Sequence, residues 1–366
     1  MKRIICTVSN DLTYDQRMIR ICTSLASAGY EVQLVGRELP SSRPIALQSF
    51  AQKRLRLLFK SGKFFYLELN LRLFFFLLFS RFDIVYSVDL DTLLPGRAVA
   101  ALRRKTCVFD AHEYFTEVPE LSDRPFTKKV WEMAARLAVP GLRYAITVCD
   151  SLANVFHKRY GVHFAVVRNV PLVRQVDALR VRKPDASFIL IYQGALNDGR
   201  GLEESILAMK MLEGVELWIC GEGDLSDKLR DLALKSGVAP QVKFLGKIRP
   251  AELAGLTSLA DLGLNLLKNK GLNYYYSLAN KAFDYIQAGL PSINMAFPEY
   301  LRLNQEFDVF YLIEELEPRQ IAEAVALLRS DKIRYENMAI RCREAAKTLN
   351  WQVESKKLLE LFQKIG

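Results

Sequence analysis

The stretch from Lys270 to Pro291 gathers side chains with the types and spacing to handle an anionic, hydroxyl-rich ligand. A polar loop, Lys270-Gly271-Leu272-Asn273 followed by Tyr274-Tyr275-Tyr276-Ser277-Leu278, leads into a short helical pattern that stops at Gly289-Leu290-Pro291. On that helix Asn280 and Asp284 are four residues apart and Lys281 and Asp284 are three apart, so they share a face. Free first-turn amides together with Lys281 suit a diphosphate. Asp284, one turn deeper, suits a diol that donates two hydrogen bonds. The plain structural alternative is a solvated Lys281–Asp284 ion pair of little energetic weight.

Two glycine-bearing turns and one histidine loop add to this. Gly194-Ala195-Leu196-Asn197-Asp198-Gly199-Arg200-Gly201 runs from a strand into a helix, where backbone amides and the Arg200 guanidinium could hold an anion. Gly221-Glu222-Gly223-Asp224 ends a strand; its glycines allow close backbone approach and Glu222 could accept hydrogen bonds. Each pair of glycines is also what an ordinary strand-to-helix turn would use. Phe109-Asp110-Ala111-His112-Glu113-Tyr114-Phe115 directly follows another strand. His112, one of three histidines, is flanked there by carboxylates, an arrangement suited to acid–base or hydrogen-bonding work. Ser9-Asn10-Asp11 holds the corresponding place after the first strand, within reach of Arg17 on the next helix.

The elements that must position these residues alternate strand and helix from end to end. Strands are expected at 3–8, 31–36, 83–87, 106–109, 145–148 and 165–167, then at 188–192, 215–220, 242–245, 262–266 and finally 292–295. The clearest helices are expected at 15–28, 92–103, 128–138, 151–160, 201–211, 225–236, 280–288, 318–328 and 332–349, with a last amphipathic segment around Trp351 to Phe362. Short Val- and Ile-rich strands between amphipathic helices mean α/β units with parallel sheets covered on both faces. Asn169-Val170-Pro171 and the aperiodic charged stretch that follows divide the chain. A first domain is expected over 1–172, a linker over 173–186, a second domain over 187–348 and a closing helix over 349–366 that could pack back on the first domain. Ligands of such sheets bind beyond the carboxyl ends of the strands, so the crevice between the two domains is the expected site.

Composition sets outer bounds. The 366 residues, 50% hydrophobic and 25% charged, give a mean hydropathy near zero, which excludes extensive disorder. The cysteines Cys6, Cys22, Cys107, Cys149, Cys220 and Cys342 are scattered without metal-ligand spacing and read as buried free thiols in a reducing compartment. No secretory leader or membrane span is expected, the longest apolar run being Leu73 to Phe79. The net charge of +10 points to an anionic partner. Lys53, Arg54, Arg56, Lys60, Lys63, Arg72 and Arg81 interleave with Leu and Phe against the single acid Glu68. Residues 51–82 therefore read as an amphipathic segment able to rest on anionic lipid, or as a core helix with a solvated basic face.

With these motifs in order, the chain resembles the retaining glycosyltransferases of family 4, the glycosyl transferases of group 1. The resemblance runs over essentially the whole length and is most specific in Asn280-Lys281-Ala282-Phe283-Asp284-Tyr285-Ile286-Gln287-Ala288-Gly289-Leu290-Pro291. It implies the GT-B fold, two Rossmann-like parallel-sheet domains facing each other across a cleft. It also implies a metal-independent transfer, without cofactor, of a hexose from a UDP- or GDP-sugar with retained configuration. In this scheme Arg200 and Lys281 bind the donor diphosphate, helped by amides from Leu278 and Asn280 to Lys281. Asp284 holds the ribose, His112 contacts the transferred sugar, and Gly194, Gly221, Glu222 and Gly223 line the donor. The departing phosphate takes the acceptor proton.

The sequence departs from the family pattern at Tyr276, where a carboxylate is usual, and at Ala195, where an arginine is common. A lipid-linked or polysaccharide acceptor in envelope glycan synthesis is expected, with the protein cytoplasmic and peripheral on the inner face of the plasma membrane, and no nucleic acid as partner. A sugar-nucleotide epimerase of the same architecture and a catalytically silent nucleotide-sugar-binding scaffold stay open as alternatives. A nicotinamide dehydrogenase is disfavoured because the G-x-G-x-x-G fingerprint is absent.

Overall fold

A computed structural model describes the chain apart from Tyr14, Ser41, Pro119, Glu120, Ser122, Asp123, residues 174–186 and Gly366, and apart from the side chains of Pro250 and Ala251. The linker expected at 173–186 thus lies almost wholly outside the described residues. The chain divides into two compact units. One comprises Met1–Asn169, Gly271–Asn273 and Glu354–Gly366; the other comprises Val170–Lys270 and Tyr274–Val353.

The first unit runs β1 (Arg3–Thr7), α1 (Gln16–Ser27), β2 (Glu31–Arg37), β3 (Ala51–Leu55), α2 (Gly62–Phe79), β4 (Ile84–Val88), α3 (Asp89–Leu102), β5 (Thr106–Ala111), α4 (Pro125–Ala138), β6 (Tyr144–Thr147), α5 (Asp150–Tyr160) and β7 (Phe164–Val166). Its seven strands form a parallel sheet in the order β3-β2-β1-β4-β5-β6-β7. The central strands are apolar on both faces because helices cover both. Phe65, Leu69, Leu73 and Leu77, spaced every fourth residue along α2, pack with Ile5, Val35, Val85 and Val99 in one buried cluster.

The second unit runs β8 (Phe188–Gln193), α6 (Leu202–Ala208), β9 (Val215–Cys220), α7 (Ser226–Lys235), β10 (Val242–Gly246), α8 (Pro250–Leu259), β11 (Leu262–Asn265), α9 (Leu272–Tyr275, whose first two residues belong to the first unit), α10 (Asn280–Gln287), β12 (Ser292–Met295), α11 (Pro298–Phe307), β13 (Phe310–Ile313), α12 (Pro318–Ser330) and α13 (Lys332–Ala346). Its six strands are parallel in the order β10-β9-β8-β11-β12-β13. The last helix, α14 (Trp351–Gln363), carries Phe362, whose ring stacks on Tyr86 of β4 at 6.0 Å within the first unit. Both sheets reverse strand order once, between β1 and β4 and between β8 and β11, and both therefore have the switch point at which such folds bind ligands.

Several elements differ from the sequence expectation. β3 and β13 are edge strands, each pairing on one side only; β3, Ala51-Gln52-Lys53-Arg54-Leu55, lacks the apolar run by which inner strands announce themselves, whereas β13, Phe310-Tyr311-Leu312-Ile313, is apolar but only four residues long. β12 is therefore not the last strand. α8 and α11 are also additional, each opened by a proline at its first turn. β5 continues to Ala111, which puts Asp110 inside a strand, and α3 begins at Asp89, three residues earlier than expected. Residues 51–82 are not one amphipathic helix: β3 takes Lys53 and Arg54 into the sheet edge and α2 starts only at Gly62.

Candidate active site

In the second unit the two glycine turns are held backbone to backbone. Gly194 N donates to Cys220 O at 3.0 Å, Leu196 N to Glu222 O at 3.3 Å, and Leu225 N to Leu196 O at 2.9 Å. A Cβ on Gly221 would stand 1.8 Å from Gly194 O, and one on Gly223 would stand 2.7 Å from Leu196 N. Any side chain at either position would push the turns apart.

Lys281 reaches up beneath this pair of turns. Its Nζ lies 3.7 Å from the centre of the Tyr192 ring, and a Cβ on Gly194 would sit 3.5 Å from it. The side chain is buried, yet Nζ has no hydrogen-bond partner among the described residues. Burial, and then the charge of Arg200, push the Lys281 ammonium well below the ordinary lysine range. Arg200 leaves the same turn with its guanidinium over the Tyr274 ring at 4.9 Å, and its Nε is likewise buried without a partner. Lys281 and Arg200 therefore converge, and among the described residues no carboxylate forms an ion pair with either. The ion pair weighed for Lys281 and Asp284 does not form: the Asp284 carboxylate accepts instead from Gln193 Nε2 at 3.0 Å, and Gln193 Oε1 accepts from Thr257 Oγ1 at 2.9 Å.

α10 is fixed by Tyr285, whose hydroxyl donates to the carbonyls of Ile191 at 3.0 Å and Leu264 at 3.2 Å while its ring fills the space over Gly263. This clamp to β8 and β11 sets the depth of Lys281 and Asp284. The capping residue Ala279 makes no side-chain cap hydrogen bond and Ala282 N turns back to Ala279 O at 3.1 Å, so the amides of Asn280 and Lys281 are the first-turn groups that could meet an anion. Leu278 is buried below that end and Asn280 is exposed on it. Glu222 is half-exposed and engaged locally, accepting from Ser226 Oγ at 2.5 Å and from Arg230 Nη2 at 2.9 Å. Tyr192 and Gln193 were missed as site residues, because within the sequence they read as strand core; Tyr274 lay in the loop already singled out but was given no role of its own.

In the first unit His112 belongs to a buried polar cluster at the carboxyl ends of β4 and β5. Arg17 grips Asp110 through Nε at 3.2 Å and Nη2 at 3.0 Å, and gives Nη1 to Val167 O at 2.9 Å. Tyr86 donates its hydroxyl to Asp110 Oδ2 at 2.6 Å. His112 Nε2 lies 2.9 Å from both Arg17 Nε and Asp110 Oδ2. Burial raises the Asp110 carboxyl, but the charges and hydrogen bonds of Arg17 and His112 outweigh it and hold the group below the usual carboxylate range. For His112 burial lowers the affinity for a proton, and the carboxylates of Asp110 and Asp89 more than reverse this. Arg17, expected beside Ser9–Asp11, is thus spent on Asp110. Asp11 instead pairs with Arg54 at 3.0 Å.

Asp89 takes a left-handed backbone conformation, φ 54°, and its carboxylate accepts the His112 backbone N–H at 2.9 Å. Burial, moderated by His112 and reinforced by Glu113 and Asp91, pushes its carboxyl up to about 8. Asp91 is pushed to about 6 by burial, against a hydrogen bond from Ser9 and with the Glu113 charge adding to the rise. Neither aspartate was singled out in the sequence; their position directly after a strand was the available signal. Among the described residues no group of three or more His, Cys, Asp and Glu side chains is arranged to hold a metal ion.

Two family models match in series, Glycosyltransferase Family 4 over residues 16–171 and Glycosyl transferases group 1 over residues 175–348. A lipopolysaccharide core biosynthesis glycosyltransferase, LpsE of Rhizobium meliloti (strain 1021), is 32% identical over 71 residues, 19% of this chain and 21% of LpsE. The match therefore spans about a fifth of that relative's length. Among solved structures, sucrose-phosphate synthase from Thermosynechococcus elongatus superposes with a TM-score of 0.81 at 14% identity, covering 100% of this chain and 99% of the other. Anabaena Alr3699/HepE, solved in complex with UDP and glucose, gives a TM-score of 0.76 at 14% identity, covering 99% of this chain and 100% of the other.

Proposed function

We propose a function that proceeds from one premise: this chain belongs to the glycosyltransferases of group 1 and family 4, with the GT-B fold. The reading is a retaining transfer of a sugar from a nucleotide diphosphate sugar to a lipid-linked or polysaccharide acceptor in envelope glycan synthesis. The observation that carries it is Lys281, a buried lysine whose Nζ has no hydrogen-bond partner among the described residues, set beside Arg200 and the start of α10.

In such a transfer the barrier lies in forming an oxocarbenium-like centre as a diphosphate departs. Cations and amides aimed at the leaving oxygens meet negative charge where it grows, and act most strongly in a site shielded from water. Lys281, Arg200 and the first-turn amides of α10 are proposed for that role, which makes the reaction metal-independent. Asp284, oriented by Gln193, is proposed to take the ribose hydroxyls. His112, held by Arg17, Asp110 and the backbone contact to Asp89, is proposed to bind the transferred sugar. The departing phosphate, rather than a protein base, is proposed to accept the acceptor's proton.

The solved complex of HepE with UDP and glucose makes UDP-sugars the first donors to test, and the relative LpsE makes envelope glycans the first acceptors. Residues 51–82 are proposed to hold the protein on the inner face of an anionic membrane; among the described residues no helix is long and apolar enough to cross one.

A thermal-shift screen with UDP, GDP and their sugars tests the donor site, since a ligand that binds only the folded state raises its melting temperature. One nucleotide is expected to give a clear rise that Arg200→Ala and Lys281→Ala abolish, with turnover falling more than ~10-fold in each, about 1.4 kcal/mol of transition-state stabilisation. Binding without turnover across lipid and glycan acceptors would instead mark a nucleotide-sugar-binding scaffold, a result to which Tyr276 and Ala195 lend weight. No nucleotide-induced rise at all would defeat both.

A further inference from the structure

α2 is apolar on two sides. Phe65, Leu69, Leu73 and Leu77 turn onto the sheet. Phe64, Leu67, Leu71 and Phe75 form a second stripe on the opposite side and are all at least half exposed. α4 repeats the arrangement. Trp131, Ala135 and Ala138 mark its inner side, with the Trp131 ring edge-on to Tyr66 of α2 at 4.9 Å and to Phe115 at 4.8 Å. Phe126, Val130, Met133 and Leu137 follow the i, i+4, i+7, i+11 rule on its outer side, and their exposures run from 44% to 79%. The two helices lie in one layer with α3: Tyr66 joins α2 to α4, and Arg97 of α3 donates to the Ala138 carbonyl at the end of α4. Eight large apolar side chains thus face outward from one layer of a single unit, far more than scattered surface hydrophobics.

The charges around them have one sign. α2 holds one acid, Glu68, and it is consumed by Arg72 at 2.8 Å and by the backbone amides of Leu58 and Phe59 at 2.8 and 2.9 Å. α4 also holds one, Glu132, paired with Arg159 at 3.3 Å. Lys60, Lys63, Arg81, Lys129 and Arg136 are exposed beside the stripes. Long cationic side chains can lie along apolar surface and still deliver their charge to an anionic layer. A second copy of the chain fits poorly, because a two-fold contact would place these cations against themselves. Anionic lipid complements both features at once.

We infer that α4 is a second membrane-contacting helix, its Phe126, Val130, Met133 and Leu137 entering the interface of an anionic bilayer alongside the outer stripe of α2. The inference rests on the reading of residues 51–82 as a lipid-facing segment and extends that contact to an element outside it. It is independent of the donor chemistry.

The test is co-sedimentation with vesicles of phosphatidylglycerol and phosphatidylcholine, and of phosphatidylcholine alone, using the full chain and two double variants, Leu67→Ser/Leu71→Ser in α2 and Phe126→Ser/Leu137→Ser in α4. All four positions are exposed, so both variants are expected to keep the wild-type circular dichroism, melting temperature and nucleotide response. The wild type is expected to bind the anionic vesicles only, with each variant partitioning about tenfold less or weaker still. If the α4 variant binds like the wild type while the α2 variant does not, the inference about α4 fails and the reading of 51–82 survives. Absence of wild-type binding overturns both. A wild-type dimer that the α4 substitutions split into monomers would overturn the inference by assigning the stripe to a second copy.

Discussion

Lys281 places its ammonium 3.7 Å from the centre of the Tyr192 ring, with no hydrogen-bond acceptor among the described residues. The aromatic face recovers part of the lost hydration but cannot replace three hydrogen bonds. Lysine with its proton affinity depressed by folding contributes its full stability only above its ordinary value of 10.5, and that contribution is lost as pH falls toward neutrality. The unliganded protein therefore carries a cost at this position, of a kind concentrated at functional sites.

Lys281→Met tests this directly. Methionine keeps most of the stem and its contact with Tyr192 while removing the charge. Replacing a poorly paired buried charge by an apolar side chain of similar volume is neutral or stabilising by about 1–4 kcal/mol. The unliganded variant is expected to melt at the same temperature or several degrees higher at pH 7, and to lose the nucleotide-induced rise. A variant that melts well below wild type would mean that Lys281 is structural.

Arg17 and Asp110 are expected to behave in the opposite way. The pair is buried and doubly hydrogen-bonded, and Tyr86 and His112 also contact the carboxylate. Removing one partner strands the other charge, so Arg17→Met is expected to cost about 3–5 kcal/mol. Adding Asp110→Asn should restore a substantial part of that loss. Chemical denaturation of the single and double variants measures the coupling; additive losses would show that the two side chains act separately.

How much of this was legible in the sequence follows from what each residue answers to. The segment 280–291 was legible because its signals are local: a stop at Gly289-Leu290-Pro291 and side chains three and four apart on one short helix. Arg200 was legible for the same reason, as part of a glycine turn entering a helix. Gln193 and Tyr192 were not, because a fully buried strand shows only apolar neighbours and not which residue will meet Asp284 or Lys281. Asp89 escaped because its left-handed backbone is fixed by the His112 amide, 23 residues along the chain. In α2, phenylalanine and leucine occur on every side, so the pattern could not say which stripe the sheet would claim; β3 and α3 decide it.

Asp91 supplies a pH-dependent prediction. It is buried, its Oδ1 has no hydrogen-bond partner among the described residues, and Glu113 adds repulsion. With a folded-state value of about 6 against an ordinary 3.8, the folded chain holds the proton more tightly than the unfolded chain. That contribution is complete below 3.8 and is lost as pH rises through 6, so at pH 8 the ionised group costs on the order of 2–3 kcal/mol. Asp91→Asn removes the ionisation and keeps a carbonyl acceptor. The variant is expected to match the wild-type melting temperature near pH 4 and to exceed it by several degrees at pH 8, with the gap opening between about pH 4 and 6.5. Asp89, pushed to about 8, stays in both proteins, so its own loss of stability with rising pH largely cancels from the gap. A constant gap at all pH values would mean that Asp91 is not the titrating group.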